Sequence, residues 1–183
     1  MAASAKQNPL STNALPAPLP TSKMWLPATA LSCYEGNTEH RDWLQTPGLL
    51  TQRIRAAAAD QFFMRLINEC RCGEEFVREI DMGCESTVWL FAHTRIPTDT
   101  AQRHPWLTRI GERTLGEALA EQPSLERAAF RFAQAYPDTW LAARALQHAG
   151  IAPRPVWVRH SAFRIDGDPF DLYEVFMPQI GTR

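Results

Sequence analysis

A chain of 183 residues, 45% of them hydrophobic, can fill one core and is too short for two independent ones. Its 19 basic and 20 acidic side chains leave a formal net charge of −1, with the two signs interspersed. That balance gives no nucleic-acid footprint and no polybasic membrane patch, and no apolar run is long enough to span a bilayer.

Residues 1–23 are rich in Ala, Pro, Ser and Thr and lack acidic side chains, which predicts a mobile arm ahead of a single domain over 24–183. Two short helices are expected next, one around Asp42-Trp43-Leu44 and an Ala-rich one over 49–59, capping one face of a sheet. Strands are predicted over 61–69, 76–82 and 87–96, joined by turns at 70–74 and 83–86 that are tight enough to force antiparallel neighbours. Pro97 ends the third strand, and 98–109 reads as a loop with one helical turn. Thr114 is the expected N-cap of a helix opening at Leu115, with Glu117 behind it at capping-box spacing. A strand over 126–135 and a helix over 139–149, closed by Gly150, follow. Two last strands, 156–165 and 169–177, flank the hairpin signal Asp166-Gly167-Asp168. The sum is an α+β domain with a six-stranded antiparallel sheet and flanking helices that form an enclosed ligand pocket.

Two charges break the expected pattern. Alternation groups Arg78 with Phe76, Ile80 and Met82 on one strand, and Glu174 with Phe170, Leu172 and Phe176 on another, so both point toward the core. A buried charge is costly unless it is paired, hydrogen-bonded or turned to a ligand, so the two either form an ion pair between strands or serve a site. Arg159 is a third such charge, sharing its face with Trp157, Ser161 and Phe163; it either snorkels at a strand end or contacts a ligand. Convergence of the three would give two guanidinium forks and a carboxylate, suited to a ligand with two carboxylates and a hydroxyl. The helix opening at Leu115 adds unpaired amides, and Gly116 lets a ligand approach its backbone. Trp89, Trp106 and Trp157 read as core packing.

Other chemistries find no support. Cys33, Cys70, Cys72 and Cys84 follow no secretory segment and are expected to be reduced; Cys70-Arg71-Cys72 lacks zinc-knuckle spacing and reads as part of a turn. His40, His93, His104, His148 and His160 are scattered, and neither a P-loop nor a dinucleotide glycine motif is present, so no metal or cofactor is expected.

Four segments carry a resemblance. The run VREIDMGCESTVWLFAHTRIP over 77–97 resembles the central segment of the chorismate pyruvate-lyase family. Arg113-Thr114-Leu115-Gly116 is similar to that family's Thr-Pro-Leu-Gly helix start, and RHSAFRIDGDPFDLYEVFMP over 159–178 resembles its C-terminal hairpin. Asp42-Trp43-Leu44 and Leu50-Thr51-Gln52-Arg53 match its N-terminal helical region. The chain departs from the family in a longer stretch over 136–155, in Leu50 where Met is usual, and in lacking Pro before Leu115.

The resemblance implies a lyase that eliminates pyruvate from chorismate to leave 4-hydroxybenzoate, the first step of ubiquinone biosynthesis. Aromatisation drives it, so no redox cofactor or metal is implied. Arg78 would hold a carboxylate with backbone amides at Leu50 and Leu115, Glu174 would meet the ring hydroxyl as base or as orienting group, and Arg159 would receive the enolpyruvyl carboxylate. The helix over 49–59 is the expected flap over a pocket that also retains the product. A cytoplasmic monomer is the expected state. The competing reading is a non-catalytic effector-binding module of the same fold.

Overall fold

The structure, a computed structural model, describes residues 25–33 and 38–182; the arm predicted over 1–23 lies outside them. In chain order these residues form β1 (Leu26–Pro27), α1 (Thr38–Leu44), α2 (Leu50–Ala58), β2 (Phe62–Cys72), β3 (Glu75–Cys84) and β4 (Thr87–Pro97). Then come α3 (Thr98–Arg103), α4 (Leu115–Leu119), β5 (Leu125–Arg127), β6 (Arg131–Ala135), α5 (Trp140–Ala149), β7 (Val156–Ile165) and β8 (Asp168–Phe176). The sheet has eight strands rather than six, ordered β1-β6-β7-β8-β4-β3-β2 with β5 also on β7, and its pairings are antiparallel. No described helix is long and apolar enough to cross a membrane.

The count differs for two local reasons. Leu26–Pro27 adds a two-residue edge strand on β6. The strand predicted over 126–135 is broken: β5 and β6 both lie along β7, separated at 128–130. The turns are also tighter than predicted. Cys70 and Cys72 lie inside β2, leaving Gly73-Glu74 to reverse the chain, and the next turn shrinks to Glu85-Ser86. Gly83 is consequently a strand residue at a register shift, where a Cβ would sit 2.0 Å from the Thr87 carbonyl oxygen. The last hairpin turns on Asp166 and Gly167, both at positive φ, as a two-residue loop between right-twisted strands demands.

Helices cover both faces of the sheet. On one side α5 packs Leu141, Ala142, Ala145 and Leu146 against Phe91, Val158 and Val175. On the other, α1 and α2 bring Trp43, Leu44, Leu50 and Ile54 onto Met82, Leu90 and Phe176 at one end. At the other end Leu115, Ala118 and Leu119 of α4 meet Ile96, Phe163 and Phe170. Trp89 is fully buried and Trp106 and Trp157 pack partly buried against the core, as expected from the sequence. Cys70, Cys72 and Cys84 are free thiols.

Candidate active site

Between the two apolar clusters of that second face lies a cavity of about 170 Å³. Its floor is sheet, from Ile80, Met82, Leu90, Ala92 and Leu172, and its ends are the starts of α2 and α4. Leu50, Arg78, Leu115, Arg159 and Glu174 all line it. The buried hydroxyls of Thr94 and Ser161 join them.

Arg78 projects from β3 beside Thr94 of β4, and only 2% of it is exposed. Nη1 donates to Glu69 Oε1 at 2.6 Å; Nη2 donates to the carbonyls of Gly111 at 2.6 Å and Arg113 at 3.0 Å. The guanidinium therefore ties the loop ahead of α4 to the sheet and is fixed at its terminal nitrogens. Its Nε is buried without a hydrogen-bond partner among the described residues. An unsatisfied donor on a buried cation is a strong liability, and because Arg78 lines the cavity it is a ready anchor for an anion.

Glu174 is paired, but not with Arg78. It stands directly across from Arg159 in the β7–β8 register, and both its oxygens accept from that guanidinium, at 2.6 Å from Nε and 3.0 Å from Nη2. Arg159 Nη1 also donates to the carbonyls of Leu44 at 3.3 Å and Thr46 at 2.9 Å. Its guanidinium carbon lies 4.3 Å from the Phe130 ring centroid and 5.6 Å from that of Phe176. So every nitrogen of Arg159 serves the protein, and its geometry is that of a clamp holding Glu174 at the cavity wall.

The ends of the cavity are helix starts. Leu49 caps α2 in an extended conformation with no side-chain hydrogen bond; its carbonyl accepts from the Gln52 and Arg53 amides at 3.0 and 3.4 Å, which leaves the Leu50 and Thr51 amides without an intrahelical acceptor. At α4 the predicted capping box is present: Thr114 Oγ1 accepts from the Glu117 amide at 3.3 Å, and the Glu117 carboxylate accepts from the Thr114 amide at 2.9 Å. Glu117 also pairs with Arg55 of α2 at 3.2 Å. Gly116 permits this approach of the helices, since a Cβ there would lie 3.3 Å from Leu49 Cδ2.

Sequence reasoning missed Arg127. It ends β5, lines the cavity, donates from Nη2 to the Pro47 carbonyl at 3.1 Å, and lies 4.3 Å over Phe130. Burial, and then the like charge of Arg159, push its pKa below the usual arginine value. The available signal was Ala128-Ala129, where apolar alternation lapses between Arg127 and Phe130.

The same segments find counterparts among known proteins. The profile of the family described as chorismate lyase matches residues 64–183. A probable chorismate pyruvate-lyase of Thiobacillus denitrificans is 30% identical over 86% of this chain and 90% of its own length. One from Cupriavidus pinatubonensis is 31% identical over 78% of this chain and 82% of its own. Among solved structures, the effector domain of PhnF from Mycobacterium smegmatis is similar with a TM-score of 0.49 and 16% identity, over 69% of this chain and 88% of that one. With the profile running through most of the described sheet and all four cavity charges, Arg78, Arg127, Arg159 and Glu174, inside its span, the chain belongs to the chorismate lyase family.

Proposed function

We infer that this chain is a chorismate pyruvate-lyase, converting chorismate to 4-hydroxybenzoate and pyruvate at the head of ubiquinone biosynthesis. The observation that carries the reading is that Arg78, whose buried Nε has no partner among the described residues, lines the same cavity as Glu174. Arg78 binds the ring carboxylate there, joined by the first-turn amides at Leu50 and Leu115, which favour an anion at a helix start. Glu174 meets the ring hydroxyl from a position fixed by Arg159.

The reaction is a redox-neutral elimination. A proton leaves the ring carbon bearing the hydroxyl, its electron pair completes the aromatic ring, and the bond from the neighbouring carbon to the ether oxygen breaks. Enolpyruvate leaves and takes up a proton to become pyruvate. Aromatisation supplies the driving force, so the protein's part is to hold the ring flat and oriented among apolar side chains. Glu174 is the carboxylate beside the carbon that loses its proton, and it either accepts that proton or aligns the hydroxyl.

The product keeps the ring carboxylate and the hydroxyl, so it retains both anchors and competes with substrate. Release then depends on movement of α2, the proposed flap. A monomer is the proposed working unit, and the free thiols of Cys70, Cys72 and Cys84 suit a reducing compartment such as the cytoplasm. Incubation of the purified protein with chorismate, without added metal and followed by ultraviolet absorbance of 4-hydroxybenzoate, tests the reading. Product formation is expected; binding of chorismate with no turnover would leave an effector-type module instead.

A further inference from the structure

We propose that Arg127 holds the enolpyruvyl carboxylate of the substrate, an anionic group that the aromatic product no longer carries. The inference rests on the lyase reading and extends it by assigning the second charge of the dianion.

Two carboxylates drawn into a largely apolar cavity need two cationic partners. Arg78 supplies one. Arg159 is a poor second, because its nitrogens already donate to Glu174, Leu44 and Thr46, and turning it to a ligand would leave Glu174 buried without its partner. Arg127 differs on each point. It borders the same cavity, donates a single hydrogen bond, to Pro47, and forms no ion pair among the described residues. Among the described residues its guanidinium has donors to spare and no counter-charge in contact.

Position agrees with chemistry. Arg127 and Arg159 each lie 4.3 Å from the centroid of the same Phe130 ring, so Arg127 shares an aromatic neighbour with the Arg159–Glu174 pair. In chorismate the hydroxyl and the enolpyruvyl ether occupy adjacent ring carbons. A substrate whose hydroxyl meets Glu174 therefore carries its second carboxylate within a few bond lengths of that residue, where Arg127 is the cation with unused donors. Partial burial and then the like charge of Arg159 lower the affinity of Arg127 for its own proton against the weaker, more distant pull of Glu174, which fits a cation with no carboxylate in contact until a ligand brings one. Arg127 is also exposed at its outer side, which puts this anchor at the rim, next to the water into which pyruvate must leave.

The test compares substrate with product. For Arg127→Gln, KM for chorismate should rise about 10- to 100-fold, the loss of one charge-assisted anchor, while the inhibition constant of 4-hydroxybenzoate stays within about twofold. Arg127→Lys, which keeps the charge without the fork, should fall between the variant and the wild type. An unchanged KM would overturn the proposal. So would a parallel rise of both constants, which would make Arg127 only a strut for the Pro47 loop. Absence of turnover in the wild-type control would instead overturn the lyase reading on which it rests.

Discussion

Arg78 and Glu79 are adjacent in β3, both are buried, and they face opposite sides of the sheet with opposite consequences. Under α5, Glu79 receives bidentate hydrogen bonds from Arg144 and a contact of 3.1 Å with His93 Nδ1. His93 in turn stands edge-on to Trp140, with ring centroids 5.1 Å apart. Burial lowers the His93 pKa, so the ring is neutral and its Nδ1–H donates to the carboxylate. Close by, the fully buried Asp81 is matched by Arg65 at 2.7 and 2.9 Å. Across the sheet, Arg78 has a carboxylate partner at Nη1 and carbonyl partners at Nη2, yet it lines a cavity and its Nε has no partner among the described residues. Burial of charge alone does not mark a site. The contrast teaches that the marker is a charged donor left unsatisfied on a residue that lines a cavity; the α5 cluster pairs its charges with one another and leaves only a ring nitrogen, His93 Nε2, without a partner among the described residues.

Substitutions on the two faces should therefore separate activity from stability. The largest effect is expected for Arg78→Ala, which should lower kcat/KM by about 10³-fold, near the upper end for a preorganised donor, with the circular dichroism spectrum unchanged. Undiminished lyase rates in that variant would erase the distinction. On the far face, Arg144→Met should cost about 3 kcal/mol in urea unfolding by stranding Glu79, while KM for chorismate stays at the wild-type value. Glu174→Gln should reduce kcat by about 10²-fold and change KM by no more than about threefold, because the amide keeps the shape but cannot take a proton. Steady-state rates measured below the melting transition would show that split.

Acid should act through the α5 face. Burial alone would raise the Glu79 carboxyl, but hydrogen bonds from His93 and Arg144 outweigh it and hold the group at about 2, against 4.5 for the ordinary side chain. Over that window the unfolded chain binds the proton first, so this contribution to stability is complete above pH 4.5 and is lost as pH falls toward 2. Denaturant titrations at several pH values should show this acid limb in the wild type and a flatter one in Glu79→Gln. The smallest effect is expected at the contact of α2 and α4. There, Gly116→Ala gains helix propensity but crowds Leu49, so the melting temperature should shift by less than about 1 kcal/mol in equivalent stability.

Much of this was visible in the residues themselves. The alternation around Arg78 and Glu174, the Thr114 capping box and the Asp166-Gly167 turn are local signals, and local signals survive into the fold. Glu79 escaped notice because β3 is covered on both faces, so alternation there separates two interiors instead of inside from outside. The Arg159–Glu174 pair depends on cross-strand register, and Arg127 on a break in the sheet, features that arise only when distant segments meet. The strand over 126–135 was overextended for the same reason: short apolar spacing does not show where a ladder is interrupted.

The placement of Arg159 directly opposite Glu174 has one more consequence, for fidelity of assembly. Slippage of the last hairpin by a single residue would rotate β8 so that Glu174 turned toward α5, stranding two charges in separate interiors. Such a mispaired chain is disfavoured before any chemistry is attempted. The pair thus acts as a proofreader, making completion of the sheet and correct aim of the Glu174 carboxylate one event.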